Sequence, residues 1–196
     1  MSHPASPRRN PTLPSVASAI SSRWSPRGFS ADHALSDDAI DTLLDAARWA
    51  PSASNTQPWS FIVARRGEEG HAEICAALGG FDRSWAPRAS ALLVGVVERE
   101  RDGKAFPWAD HDLGQACAFL VLQAETMGLD AHQMAGFDVE AVARDFGIEA
   151  PFAPVVVIAV GQHDASDAVP AEIRLRDQAP RERKPLAEMR FRRAER

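Results

Sequence analysis

Two short basic segments and one proline-bounded loop carry the residue types that could do chemistry. Arg23 and Ser25 stand at i and i+2, with Arg27 just beyond, and Arg181 and Arg183 repeat that spacing late in the chain. In an extended segment such a pair faces one side. Guanidinium forks match phosphate oxygens, and a hydroxyl adds a neutral donor. Each pair can therefore close on one anion, although a solvated surface arginine explains either pair taken alone. The loop reads Pro51-Ser52-Ala53-Ser54-Asn55-Thr56-Gln57-Pro58-Trp59. Its small hydroxyls and its amides can serve a turn by bonding their own backbone. They can equally present donors and acceptors to a polar ligand with several edges.

The loop falls between a helix pattern and a strand pattern. Ser36 caps the helix, and Asp37 and Asp38 occupy its first turn, where the helix dipole favours acids. Ile40, Leu43, Leu44 and Ala47 follow helical spacing, and Pro51 ends the run. Residues 60–65 predict a strand, and residues 16–22 a short helix ahead of Arg23. Residues 70–78 predict another helix. The runs ALLVGVVE at 91–98 and PVVVIAVG at 154–161 are continuously apolar, which predicts buried strands. Residues 110–127 predict a long helix closed by Gly128. Its middle, ACAFLVLQA, is apolar nearly all round, more than one core-facing stripe needs. Such a helix is central in the fold, shared with a second copy, or both; both is the expectation. A weak strand at 129–135, before Gly136, and a short helix at 139–146 complete the pattern. No repeat or interior linker divides the chain. The expectation is one domain over residues 15–196, ending in a basic tail and preceded by a mobile arm of residues 1–14.

Composition narrows the function classes. With 196 residues, 45% apolar and 25% charged, the chain resembles an ordinary soluble globular protein. From residue 172 onward, nine Lys/Arg face five Asp/Glu, a net of +4, which leaves −9 for the rest of a chain whose total is −5. An acidic body with a basic tail argues against general nucleic-acid binding. No apolar run approaches a membrane span. Cys75 and Cys117 suggest neither a disulfide framework nor a metal site, so a cytoplasmic setting is expected. Cys117 is expected to be a buried small apolar residue. Asp110-His111-Asp112 suits helix capping better than metal binding. The absence of Gly-x-Ser-x-Gly weakens a serine-hydrolase reading, and the absence of Gly-x-Gly-x-x-Gly weakens a permanent dinucleotide site.

Taken together, the motifs resemble those of the FMN-dependent nitroreductase family. Arg23, Ser25 and Arg27 match its early Arg-x-Ser-x-Arg segment, and Trp24 stands where many relatives carry a basic residue or His. Pro51, Ser52, Asn55, Gln57, Pro58 and Trp59 match its Pro-Ser-x-x-Asn-x-Gln-Pro-Trp loop, with Ala53 and Ser54 between them. Gly136-Phe137-Asp138 match a Gly-Phe-Asp element, and Arg181, Arg183 and Pro185 match a late basic pair before a proline. Ala135 stands where some relatives carry an acid. Order and spacing agree from about residue 22 to residue 185.

The resemblance implies an α+β, three-layer α/β/α fold around a mostly antiparallel sheet. It implies FMN at the interface of a homodimer, with the loop at 51–57 reaching the flavin held mainly by the other chain. Arg23, Ser25, Arg181 and Arg183 would hold the phosphate or ribityl chain. Arg27 would lie by the N1/O2 edge of the ring, and backbone donors at Ala135 and Gly136 would face N5 and O4. FMN would carry the chemistry, so no side-chain nucleophile is expected. NADH or NADPH would be the transient electron donor, and nitroaromatics or quinones the acceptors. A flavin-fragmenting or dehalogenating relative is the alternative within the superfamily; a non-catalytic flavin-binding dimer is the alternative outside enzymes. The segment 99–109 is short and predicts a small lid, with Trp85, Phe106, Pro107 and Trp108 as candidate walls or ordinary packing.

Overall fold

In the computed structural model, which describes residues 10–191, the two apolar runs form the centre of a four-stranded sheet. In chain order the elements are α1 (Ser18–Ser22), α2 (Asp37–Arg48), β1 (Trp59–Arg65), α3 (Glu69–Ala77), β2 (Ala91–Glu98), the short strands β3 (Glu100–Arg101) and β4 (Lys104–Ala105), α4 (Ala109–Thr126), β5 (Asp130–Met134), α5 (Val139–Asp145), β6 (Phe152–Gly161) and α6 (Ala171–Asp177). The sheet runs β1-β2-β6-β5, antiparallel at every step.

The continuous apolar character of β2 follows from cover on both faces. Ala91, Leu93 and Val97 join a core with α2 and α4, while Leu92, Val94 and Val96 join a second core with α3 and α5. Period-2 alternation sends successive side chains to opposite faces. The result is the expected α/β/α layering with an antiparallel sheet.

Helix α2 starts where Ser36 Oγ accepts the Ala39 amide at 3.2 Å, and it buries Ile40, Leu43 and Ala47. Helix α4 packs on α2 and on three strands of the sheet, burying Leu113, Ala116, Cys117, Leu120, Val121 and Ala124. Truncating a side chain such as Leu120 would cost about 2–5 kcal/mol. Gly114, Ala118 and Phe119 remain exposed on its outer face, so this chain covers only part of an apolar perimeter.

Some features depart from expectation. Trp85 lines no lid: it is fully buried, stacked on Phe29 at 6.0 Å and tilted against His132 at 4.6 Å. Helix α6 was not anticipated, because Ile173 is its only buried residue and charged neighbours hide the pattern. The segment 99–109 contains the β3–β4 hairpin. Of the expected arm, residues 1–9 lie outside the described residues, as do residues 192–196 of the tail. Asn10 is fastened to the end of α1: its amide donates to the Ser21 carbonyl at 2.6 Å, and its Nδ2 donates to the carbonyls of Ile20 and Arg23 at 3.0 and 2.9 Å. Among the described residues, no helix is long and apolar enough to cross a membrane.

Candidate functional site

The early and late arginines meet. Arg23 follows α1, half-buried, and its Nη1 donates to Ser25 Oγ at 3.2 Å. Its pKa is lowered, first by burial and then by the nearby Arg183 cation, with Glu125 opposing. Like charges near one another repel, and an anion that joins them relieves the repulsion. Arg181 comes to the same place. Its Nη1 donates to the Ser22 carbonyl at 3.4 Å, and its guanidinium lies 5.5 Å from the centre of the Trp24 ring. Trp24 in turn meets His163 edge-on at 5.0 Å. Trp24 thus supports the cluster as a platform and supplies no charge.

Arg27 is placed by its backbone. Its amide donates to both carboxylate oxygens of Asp177, at 2.9 and 3.0 Å, and the Gly28 amide donates to Asp177 Oδ2 at 2.8 Å. The Asp177 side chain is 5% exposed and lies 3.7 Å from His163 Nε2. Gly28 has no room for a side chain, since a Cβ there would meet the Asp164 carbonyl oxygen at 2.6 Å. His132 on β5 donates from Nδ1 to the Pro26 carbonyl at 2.8 Å, and burial pushes its pKa down. With its backbone fixed on both sides, Arg27 keeps a buried Nε that has no hydrogen-bond partner among the described residues. A buried guanidinium donor left unsatisfied is costly and calls for an acceptor.

Strand β5 runs on from His132 toward Ala135 and Gly136, about 10 Å at strand spacing. Both residues are exposed. The segment is stapled to the end of α3: the Gly79 amide donates to the Gly136 carbonyl at 2.7 Å, and the Asp138 amide donates to the Ala77 carbonyl at 2.8 Å. Asp138 also caps α5 by accepting the Ala141 amide at 2.9 Å.

The loop at 51–57 is a separate unit. Ser54, Asn55 and Gln57 adopt φ values of 52°, 55° and 47°. Left-handed conformations cost roughly 1–2 kcal/mol for residues other than glycine. The loop's internal bonds run from the Gln57 amide to Ser52 Oγ at 3.0 Å and from Gln57 Nε2 to the Asn55 carbonyl at 3.2 Å. Its anchor is Asp112, 3% exposed, whose Oδ2 accepts the Ala53 amide at 2.9 Å. Asp112 was expected as a helix cap, but its carboxylate reaches across to the loop. Such strain concentrates where a function depends on the held shape.

The sequence-predicted residues therefore fall into three groups. Arg23, Trp24, Ser25 and Arg181 gather at the end of α1, where the Arg183 cation and the Glu125 carboxylate near the end of α4 act on Arg23, while Arg27 is held by Asp177 and adjoins, through Pro26, the strand β5 that leads to Ala135 and Gly136. Pro51, Ser52, Ala53, Ser54, Asn55 and Gln57 sit by its N-terminal end, with the Pro51 carbonyl accepting from Gln115 at 3.4 Å. From Asp112 to Glu125 the helix rises about 20 Å. Asp177, His163 and His132 escaped the sequence reading, and Asp112 entered it only as a helix cap. Each looks like an ordinary surface or capping residue until distant elements come together.

Comparison with known proteins identifies the family and the fold. The Nitroreductase family profile matches residues 20–86 and 81–162. The chain is 38% identical to an uncharacterized 15.4 kDa protein of Mycolicibacterium smegmatis, across 67% of this chain and 93% of that one. It is 28% identical to the oxygen-insensitive NAD(P)H nitroreductase of Salmonella typhimurium, across 78% of this chain and 90% of that one. A crystal structure of an oxidoreductase containing FMN superposes with a TM-score of 0.85 at 31% identity, covering 95% of this chain and 94% of that chain. With the motifs in order, the layers in place and the arginines gathered, the chain belongs to the nitroreductase family.

Proposed function

We propose that the protein is an FMN-dependent oxidoreductase that passes two electrons from NADH or NADPH to an organic acceptor, and that it acts as a homodimer with sites built from both chains. The observation that carries this is the meeting of Arg23, Ser25 and Arg181 around Ser22 and Trp24, together with a buried Arg27 Nε that has no hydrogen-bond partner among the described residues. A ligand with a terminal phosphate and a polar-edged ring meets both demands. Arg23 and Arg183, with Ser25 and Arg181, would take the phosphate end. Arg27 would stand at the ring edge, where its fixed cation favours the negative charge that reduction brings. Backbone amides at Ala135 and Gly136 would orient the ring. FMN, when bound, supplies the two-electron chemistry itself, so the chain furnishes binding and orientation. The thiols take no part: burial pushes Cys75 up to about 11 and Cys117 up to about 12. The likeness to an oxidoreductase containing FMN and to an NAD(P)H nitroreductase supports the same cofactor and donor.

The spacing along α4 supports the dimer. One chain's loop and arginines stand too far apart for a single compact site. A two-fold axis across the middle of α4 would lay two copies antiparallel and bring the Asp112 end of one against the Glu125 end of the other. Phe119, 41% exposed at mid-helix, is apolar surface that such packing would cover.

The test is the visible spectrum of purified protein after incubation with FMN and removal of the excess, followed by NADH or NADPH oxidation with a quinone. Retained flavin and turnover support the proposal. A protein that stays colourless contradicts it, and retained flavin without turnover points to a binding protein.

A further inference from the structure

We propose that the corner between the loop at 51–57 and the β3–β4 hairpin selects the acceptor, and that it takes planar aromatic acceptors bearing a carboxylate or an equivalent anion. This rests on the flavin reading above and names the substrate class of that site. The hairpin is fixed to the start of α4 and reaches the loop through Arg101. The Arg99 guanidinium forks onto the Asp110 carboxylate at 2.7 and 3.0 Å, and the Phe106 amide donates to the Arg99 carbonyl at 2.8 Å. Arg101 pairs with Glu98, lies 5.4 Å from the centre of the Phe106 ring, and donates to the Thr56 carbonyl at 3.4 Å. Walls contributed by separate elements are thereby held before any ligand arrives, which lowers the ordering cost of binding.

The pocket between them is lined by Ser54, Thr56, Lys104, Phe106, Trp108 and Asp112, among others. Its charges are unequal in availability. Asp112 is buried and already accepts from Ala53. Arg101 is spent on Glu98. Lys104 forms no ion pair among the described residues and is exposed. Lys104 is therefore the pocket-lining cation left to meet an anionic ligand group, while the Asp112 charge is turned to the Ala53 amide. Trp108 is 62% exposed, an unusual position for so large an aromatic surface, and Phe106 is half-buried beside it. Two aromatic faces suit a planar ring. The ammonium suits an anionic substituent on that ring, and the Ser54 hydroxyl adds a neutral donor, whereas the Thr56 hydroxyl already donates to the Ala53 carbonyl at 3.0 Å.

The test uses the FMN-loaded protein and calorimetric binding of 4-nitrobenzoate and of its neutral counterpart 4-nitrobenzamide, with kcat/KM for both. The acid should bind about fivefold more tightly than the amide, the size expected of a partly exposed charge pair. That preference should shrink with salt, persist in Lys104→Arg, and vanish or reverse in Lys104→Glu, while Trp108→Ala weakens both ligands. Retention of FMN by each variant shows that it has folded. Equal binding of acid and amide by the parent protein overturns the proposal. So does a preference that Lys104→Glu leaves intact, or a Lys104→Glu effect confined to the dinucleotide. A protein that retains no FMN removes the flavin reading and this proposal together. A flavin-loaded protein that reduces quinones yet shows no such preference overturns this proposal alone.

Discussion

The Asp177 carboxylate accepts the Arg27 amide with both oxygens, at 2.9 and 3.0 Å. Through that contact, a residue at the end of α6 sets the backbone of an arginine near the start of the chain. Asp177→Ala should lower stability by about 1.5–3 kcal/mol, the range for hydrogen bonds to a charged group. It should also loosen FMN binding, because Arg27 would no longer be held in place. Asp177→Asn should fall between, since it keeps an acceptor and loses the charge. Urea unfolding and FMN titration check both effects. Wild-type FMN affinity in a destabilised Asp177→Ala protein would mean that the contact serves folding only.

The arginines should differ in their salt response. Arg183 is exposed and Arg23 half-buried. Arg183→Ala should weaken FMN binding about tenfold at low salt, and less at high salt, because exposed charges are screened. Arg23→Ala should cost more and depend less on salt. FMN dissociation constants at two ionic strengths decide this. Equal, salt-independent losses would place Arg183 away from the phosphate.

Arg27→Ala should act mainly on the reduced flavin. The midpoint potential should fall, and the rate of flavin reduction by NADH or NADPH should drop more than FMN affinity does. Potentiometric titration and stopped-flow reduction give the two numbers. An unchanged potential would put Arg27 elsewhere.

Acid should destabilise the fold through its histidines. His33, His71 and His132 all lie below the ordinary imidazole value, each chiefly because burial disfavours the charged form. The unfolded chain therefore binds protons that the folded chain refuses. Stability from this source is complete above about pH 6.5 and is lost as the pH falls from there through the depressed folded values. The urea midpoint should drop between about pH 7 and pH 5, and His132→Gln should flatten that slope. A midpoint independent of pH over this range would contradict the assignment.

What could be read in the sequence follows from what is local. The strands β2 and β6 announce themselves because both of their faces are covered, which leaves continuous apolar runs. Arg23, Ser25 and Arg27 stand together in sequence and act together in space. Asp177 could not be found that way. Nothing near it distinguishes it from the other charged residues of α6, and its partner lies at the opposite end of the chain. Asp112 misled for a related reason: an acid in the first turn of a helix looks the same whether it meets its own helix or a distant loop. Trp85 was ambiguous because core and pocket wall ask for the same side chain.

The composite site is the central claim, and a mixed dimer tests it most directly. One chain would carry Asn55→Ala with its arginines intact; the other would carry Arg23→Ala with its loop intact. In each homodimer both sites are damaged. In the heterodimer, one site unites the intact loop with the intact arginines and the other holds both lesions. NADH or NADPH oxidation by purified heterodimer should therefore recover to about half the unmodified activity, as two equivalent sites across a two-fold axis require. A verified heterodimer no more active than the mean of its two impaired homodimers would show that each chain builds its own site.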